Sequence, residues 1–420
     1  MRMIASRPRV VVTGMGVVTP LPDTLDGFWK ALTEGRSGIG PIRSFDASQL
    51  ACRVGGEIPH FDPTPYIPAK QARRMSRASQ MALVSAVKAV SDAGLTRPFP
   101  RPERVGIYMG TAIGGFERGV EAMEIYRREG MRGVSPFALP SVLPNMLAFH
   151  IAQTLGAKGP SITIATACAT GTQAIGEAME ALRNGRADVI IAGGAEAVIL
   201  EYIIAGFILM RAMPTSFNDE PQRASRPFDA RREGFVLSEG AACLVLETYA
   251  HARSRQAPIY AEVLGYASAN DGFNMVAPNP EADGPIQVMS LALQDAGRSP
   301  EDVEYINAHG SSTPANDREE TVAIKRLFGE KKAYQIPISS TKSMLGHAMG
   351  ASGAIEAVAT IFSIHSGIIH PTINYETPDP ECDLDYVPNQ ARHAQPRLCL
   401  SNSFGLGSQS ACLVLAEVED

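Results

Sequence analysis

Three residues of this chain combine a reactive side chain with a setting that suits covalent catalysis: Cys168, His309 and His347. Cys168 lies in Ser161-Ile-Thr-Ile-Ala-Thr-Ala-Cys168-Ala-Thr-Gly-Thr-Gln, where a β-branched strand gives way to small residues and a helix begins. A helix N-terminus offers free N–H groups and partial positive charge, which favour a thiolate. Small neighbours leave room for a substrate. Cys243, Cys399 and Cys412 lie instead in apolar strand patterns and read as core. His309 falls in Val303-Glu-Tyr-Ile-Asn-Ala-His309-Gly-Ser-Ser-Thr-Pro314. His347 falls in Ser339-Ser-Thr-Lys342-Ser-Met-Leu-Gly346-His347-Ala-Met-Gly350-Ala-Ser-Gly353. Each follows a strand and is flanked by glycine and small polar residues, so a substrate can come close to the backbone. His60, His150, His251, His365, His370 and His393 have no such setting and read as surface or core. Lys342 lies five residues before His347 in a dense run of small residues, a setting that argues against an ordinary solvated surface lysine.

The elements that must hold these residues alternate between strand and helix. The pattern predicts strands over 9–13, 104–109, 161–165 and 188–192, and helices over 76–94 and 170–184. Thr13-Gly-Met-Gly16 reads as the turn after the first strand. This is the β–α–β rhythm of an α/β protein. A short repeat is visible: Ala242-Cys-Leu-Val-Leu246 recurs as Ala411-Cys-Leu-Val-Leu415, each closing about half the chain. Pro258-Ile-Tyr-Ala-Glu-Val-Leu-Gly265 then reads as a strand and turn equivalent to the N-terminal one. The repeat divides the chain into halves, 1–253 carrying Cys168 and 254–420 carrying both histidines. Neither half contains the GxGxxG of a dinucleotide site.

Composition narrows the rest. A chain of 420 residues, 45% of them hydrophobic, has room for two domains or two halves sharing an interface. A net charge of −6 argues against a general nucleic-acid binder. The six cysteines form no CxxC and are accompanied by no HxxxH, so neither a zinc site nor a disulfide framework is expected, and a reducing cytoplasm fits best. No apolar run reaches the ~18–20 residues that cross a bilayer. The start, MRMIASRPRVVVTGMGVV, is basic and then apolar, but its glycines fall too early for a signal-peptide core. The reading is of a soluble, unprocessed protein.

Ala165-Thr-Ala-Cys168 resembles the nucleophile motif of β-ketoacyl-[acyl carrier protein] synthases. Asn307-Ala-His309-Gly-Ser-Ser-Thr313 and Thr341-Lys342-Ser-Met-Leu-Gly-His347 resemble that family's two histidine motifs, and Asn402-Ser-Phe404-Gly405-Leu-Gly407 its glycine-rich gate. The similarity runs along nearly the whole chain, including Val11-Val-Thr-Gly-Met-Gly16, Arg226-Pro-Phe-Asp229 and Gly234-Phe-Val-Leu237. The two-histidine pattern resembles that of the elongating, type II enzymes. The resemblance implies the thiolase-like α/β fold, two duplicated βαβαβαββ halves in a five-layered α-β-α-β-α core, and a homodimer. It implies decarboxylative Claisen condensation of a Cys168-bound acyl chain with malonyl carrier protein in fatty-acid elongation. A polyketide or specialised lipid pathway is the alternative. His309 and His347 would stabilise the enolate, and the amides of Cys168 and Phe404 the later oxyanion. Lys342 would order the histidines together with Glu320. Phe404 and the loop around Asp271 would gate the site. Ile113 and Phe207 would line the acyl pocket, and Ser311 and Thr313 would hydrogen-bond the phosphopantetheine arm. Lys70, Arg73, Arg74, Arg132 and Arg211 would dock the acidic carrier. No bound cofactor, metal, nucleic acid or membrane is implied, because the prosthetic arm belongs to the carrier. A non-catalytic chain-length factor would lack Cys168, and thiolases and initiating synthases use other constellations.

Two departures stand out. The gate runs on as Gly405-Leu-Gly407-Ser408-Gln-Ser410, where the family has Gly-Phe-Gly-Gly-Thr-Asn. A Cβ at 408 restricts backbone angles that glycine allows. Phe207-Ile-Leu-Met210 is also bulkier than the small-residue run expected beside the pocket.

Overall fold

The computed structural model describes residues 7–419. The first six residues of the basic start therefore lie outside the described part. The chain soon enters strand β1, Val10–Val18, which is buried along its whole length. The turn expected at Thr13–Gly16 does not form. Gly14 and Gly16 lie inside the strand, and a Cβ on either would strike the backbone of helix α1, Arg77–Asp92, at Ala89 and Ser85. The two glycines keep a smooth track on the strand for a helix to lie in.

The other main-sheet strands of the first half are β2 (Val105–Gly110), β3 (Ser161–Ile164), β4 (Val189–Glu196) and β5 (Gly240–Thr248). Those of the second are β6 (Ala261–Asn270), β7 (Tyr305–Asn307), β8 (Ile338–Ser339), β9 (Leu398–Gly405) and β10 (Gln409–Ala416). The turn expected at Gly265 is absent too. β6 carries on to Asn270, paired with β10 across a register shift between Val414 and Leu415.

All ten strands join one sheet in the order β8-β7-β9-β10-β6-β1-β5-β4-β2-β3. The second five repeat the order of the first. In each half the two inner neighbours pair antiparallel and the outer ones parallel. The halves join where β1 runs antiparallel to β6, through the pairs Val11↔Glu262 and Val12↔Ala261.

Helices fill both faces. α1, capped by Ser76, covers the outer face of the first half against β1, β5 and β4. α2 (Thr170–Arg183) and α5 (Ser352–Ser366) lie between the halves, and α3 (Asp283–Ala296) and α4 (Pro314–Ala333) cover the second. The result is α-β-α-β-α, with one apolar core under the outer helices of each half and a third in the middle around α2 and α5. α5 is buried from Ser352 to Phe362 on every side, so it has no solvent-exposed face. Strands covered on both faces read as the near-continuous apolar runs seen here. No helix among the described residues is long and apolar enough to cross a membrane.

One buried carboxylate ties β1 to this frame. The β1–β5 register shifts between Val12 and Gly14, and Thr13 Oγ1 there donates to Glu247 on β5. Arg255 Nε donates to the same carboxylate at 2.9 Å, and His251 also contacts it. Burial opposes the charge, but these partners hold Glu247 down to about 2. Glu247→Gln leaves Arg255 without its counter-charge and should lower stability by about 3 kcal/mol in urea unfolding. Because the folded pKa lies below the ordinary value near 4.3, this contribution is complete above about pH 4.3 and is lost as pH falls towards 2. The gap between wild type and variant should therefore narrow in acid.

Candidate active site

The cysteine and the two histidines come from three different junctions. β3 ends at Ile164, and Cys168 sits in a single 3₁₀ turn, Ala167–Ala169, before α2. Ala167 takes φ +50, a left-handed conformation that costs a non-glycine residue energy and turns the chain sharply at the cysteine. His309 follows β7. His347 follows the short helix Lys342–Leu345 and Gly346, and its own N–H donates to Val236 O at 2.7 Å.

The approach of the two central helices brings the three together. A Cβ on Gly171 would meet Ala354 N at 2.7 Å and Gly350 O at 2.9 Å, and one on Gly353 would strike Thr172. With glycine at both places the N-termini of α2 and α5 touch. The Phe404–Gly407 loop meets the same point, since a Cβ on Gly405 would lie 2.9 Å from Cys168 N.

Cys168, His309, His347 and Phe404 line one cavity of about 360 Å³. The histidine rings lie 5.4 Å apart at 84°, and the Phe404 ring sits 5.7 Å from that of His309. Phe235 packs edge-on to His347 at 5.4 Å and Phe207 edge-on to Phe235 at 5.0 Å, forming an aromatic wall.

The charges around the rings fix their state. Lys342 Nζ donates to His309 O at 2.7 Å, faces His309 Nδ1 at 3.4 Å, and pairs with Glu356 of α5. An ammonium only donates, so His309 Nδ1 must accept and the ring proton belongs on Nε2. Burial, the Lys342 charge and the neighbouring His347 hold His309 well below its ordinary range. Burial and Lys342 do the same to His347. Both rings are neutral at physiological pH. Glu320 takes a different part from the one expected. It accepts from the amides of His309 at 2.9 Å and Gly310 at 2.8 Å and from Asn402, so it clamps the His309 loop, while Glu356 is the partner of Lys342. Burial lifts Glu320 to about 7. Glu196, lifted by burial to about 7, accepts from Ala112 N and Gly350 N and ties the loop after β2 to the one after His347.

Cys168 also departs from the expectation. Burial pushes its thiol up to about 11, against the lowering effects of Lys342 and a hydrogen bond from Leu406 N–H. Removing the sulfur from water favours the protonated thiol.

The remaining expected residues divide. Phe207, Arg211, Asp271, Ser311 and Thr313 line the cavity. Ile113 does not; it packs beside Cys168 and Phe207 in the apolar cluster around them. Lys70, Arg73, Arg74 and Arg132 are exposed away from the cavity, and Arg74 stacks over Phe137 at 4.1 Å. Ser408 takes φ +59, the left-handed region that glycine occupies without strain. Its Oγ reaches Asn274 O at 3.2 Å, and Gly407 N donates to Met275 O at 2.9 Å, so the gate and the Asp271 loop are tied to each other. Among the described residues no cluster of three or more His, Cys, Asp or Glu side chains could hold a metal ion. Sequence reasoning missed Glu356, although a lone acid inside the apolar run Ala354-Ile-Glu-Ala-Val-Ala359 signals a buried charge.

A duplicated five-layered core, with a cysteine at one helix start facing two neutral histidines, defines a thiolase-like ketosynthase. The chain belongs to the β-ketoacyl synthase family: the family's N-terminal domain matches residues 7–252 and its C-terminal domain residues 260–376. Curated relatives include the 3-oxoacyl-[acyl-carrier-protein] synthase 2 of Synechocystis sp., 47% identical over 98% of this chain and 99% of that one. The protein of the same name from Staphylococcus aureus is 43% identical over 99% and 100%. Among solved structures, a β-ketoacyl synthase from Burkholderia phymatum has a TM-score of 0.91 at 36% identity, covering 98% of this chain and 100% of that one. A type II PKS ketosynthase complex, described as acyl-carrier protein with its ketosynthase bound to the hexaketide, has a TM-score of 0.92 at 36% identity, over 99% and 100%. The protein is an enzyme of the acyltransferase class.

A thiol lifted to about 11 is ionised only about one part in 10⁴ at pH 7. Alkylation of Cys168 by iodoacetamide should therefore accelerate about tenfold per pH unit between pH 7 and 9, followed by peptide mass spectrometry. A rate that levels off below pH 8 would show that the resting residue is already a thiolate.

Proposed function

We propose that this enzyme condenses an acyl chain carried on Cys168 with malonyl-[acyl carrier protein], giving 3-oxoacyl carrier protein, CO2 and free carrier in fatty-acid elongation. The observation that carries this is the convergence of one cysteine and two neutral histidines on a single cavity. Identity to relatives named 3-oxoacyl-[acyl-carrier-protein] synthase 2 supports elongation over the polyketide alternative.

In the first step the Cys168 sulfur attacks the acyl thioester and the carrier leaves as its thiol, so one hard reaction becomes two easier ones. In the second, the bond from the malonyl α-carbon to its carboxylate breaks. CO2 departs, and the electron pair becomes an enolate on the thioester. The Nε2–H groups of His309 and His347 stabilise that oxygen. The enolate carbon attacks the Cys168 thioester, the amides of Cys168 and Phe404 hold the resulting oxyanion, and collapse expels the cysteine sulfur. A neutral ring has a single N–H, so it serves this task when that proton sits on the nitrogen facing the enolate oxygen. Lys342 holds His309 in the donating state from the far side. Ser311 and Thr313, with hydroxyls 3.0 Å apart on the cavity wall, receive the phosphopantetheine arm. Phe404 and the Asp271 loop gate the entrance, and Phe207 borders the acyl pocket with Ile113 behind it.

The acyl carrier protein is the partner, in its acyl- and malonyl-loaded forms, docked on Lys70, Arg73, Arg74, Arg132 and Arg211, all exposed. We place the enzyme in the cytoplasm, with its six cysteines free and buried. We divide it at 253/254 into halves of repeated strand order, the first bearing Cys168 and the second the histidines and the gate. A homodimer is supported by the open edge of β3, where Ile162 is 40% exposed.

His309→Ala and His347→Ala should still accept an acyl group at Cys168. Each should lose about 10²–10³ in CO2 release from malonyl carrier protein, the usual cost of one oxyanion donor. Radiolabelled CO2 measured beside acyl-enzyme mass separates the steps, and wild-type CO2 release in both variants would remove the histidines from the mechanism. Arg73→Glu with Arg74→Glu should weaken carrier binding at low salt, and the difference should shrink as added salt screens the contacts. Unchanged low-salt affinity would place docking elsewhere.

A further inference from the structure

His309 has Lys342 to set its ring proton, whereas the Nδ1 of His347 faces no charge and meets Ser352 Oγ at 2.9 Å. Ser352 is the first residue of α5 and is buried, and among the described residues His347 is the only side-chain partner its hydroxyl has. The other hydroxyl residues of this helix behave differently. Thr360, Ser363 and Ser366 each donate back to the carbonyl four residues earlier, Glu356, Ala359 and Phe362. Ser352, which follows the turn Met349–Ala351, makes no such bond through its hydroxyl and meets the imidazole instead.

Counting protons decides the direction of that bond. A serine hydroxyl carries one proton, and a neutral imidazole carries one proton on two nitrogens. If Nδ1 were the protonated nitrogen, it would donate to Ser352 Oγ. The hydroxyl proton would then be buried without an acceptor, and Nε2 would be a bare acceptor. If Ser352 donates, its proton is satisfied, Nδ1 accepts, and the ring proton sits on Nε2. Nε2 is buried, has no partner among the described residues and belongs to the ring that borders the cavity with Cys168. Its backbone is pinned on both sides, by Val236 O accepting from His347 N and by His347 O accepting from Ser238 N at 2.9 Å. The ring therefore has one hydrogen-bond choice left, and Ser352 makes it.

We propose that Ser352 is a positioning residue that fixes His347 as the Nε2–H tautomer by donating its hydroxyl proton to Nδ1. This rests on the proposed role of His347 in decarboxylation. The two ideas part in the experiment, because the tautomer is read from ¹⁵N-histidine spectra whether or not the enzyme turns over. In the wild type, His347 should show a protonated Nε2 and a bare Nδ1. In Ser352→Ala the two tautomers should mix, and kcat for CO2 release from malonyl carrier protein should fall at least about tenfold, since a misplaced imidazole proton costs far more than that in other enzymes. KM for malonyl carrier protein and acyl loading of Cys168 should not change. Ser352→Thr, which keeps the hydroxyl, should restore both the spectrum and the rate. A wild-type His347 protonated on Nδ1, or a Ser352→Ala enzyme that keeps a single Nε2–H tautomer, overturns the proposal. A shifted tautomer with unchanged CO2 release also overturns the catalytic reading of His347.

Discussion

Helices α2 and α5 meet end to end at Gly171 and Gly353, with no room for a side chain on either, and the site depends on that contact. Cys168 lies in the turn that opens into α2, and His347 lies two residues before the turn, Met349–Ala351, that opens into α5. A separation larger by one Cβ on each side would move the sulfur from the imidazole by more than proximity catalysis tolerates. The helices belong to opposite halves of a duplicated sheet, so the contact also locks the halves together. Thr172 Oγ1 and Ser403 Oγ, 2.7 Å apart, extend it to β9 and so to the gate.

Close packing of this sort takes charged side chains out of the solvent, and the polar groups here answer to one another. Lys342 is 2% exposed and would be costly alone; Glu356, also 2% exposed, compensates it. Burial, helped by the same ammonium, keeps the histidines neutral, and that ammonium lowers the sulfur's cost of ionising. One buried charge pair thus orders three reactive groups at once, at the expense of a thiol that rests protonated. Burial also excludes water from the proposed enolate, which water would quench by protonation.

The loop after Phe404 is one of the two places where this chain departs from the family pattern. Ser408 occupies a left-handed position and is tied to Asn274, and Asn270 Nδ2 donates to Gly407 O at 2.8 Å. Two loops that border the cavity are therefore joined by backbone and side-chain bonds, and opening one requires breaking contacts with the other. The bulky Phe207 belongs to an aromatic wall with Phe235 that ends at His347, so size at that position bears directly on the histidine ring.

The sequence alone determined the chemistry that is local to a stretch of backbone. Cys168, His309, His347 and Phe404 each sit in a short motif whose small residues make the turn and whose reactive side chain needs no distant explanation, and all four were legible. The alternation of strand and helix was equally plain, since burial on both faces writes itself as apolar runs. Relations across space were decided only by the tertiary structure. Gly14 and Gly16 read as a turn because glycine is ambiguous until the helix lying on it is known. Glu320 and Glu356 are both acids near a histidine motif, and nothing in spacing tells which one meets Lys342 from another element. The protonation of Cys168 depended on burial, a property of the packed molecule, rather than on its place before a helix. Ser352 looked like one more small residue in a glycine-rich run until α5 turned its hydroxyl onto the His347 ring. Local motifs carry backbone geometry and reactive groups. Partners, protonation and access are set by which side chains the fold brings face to face.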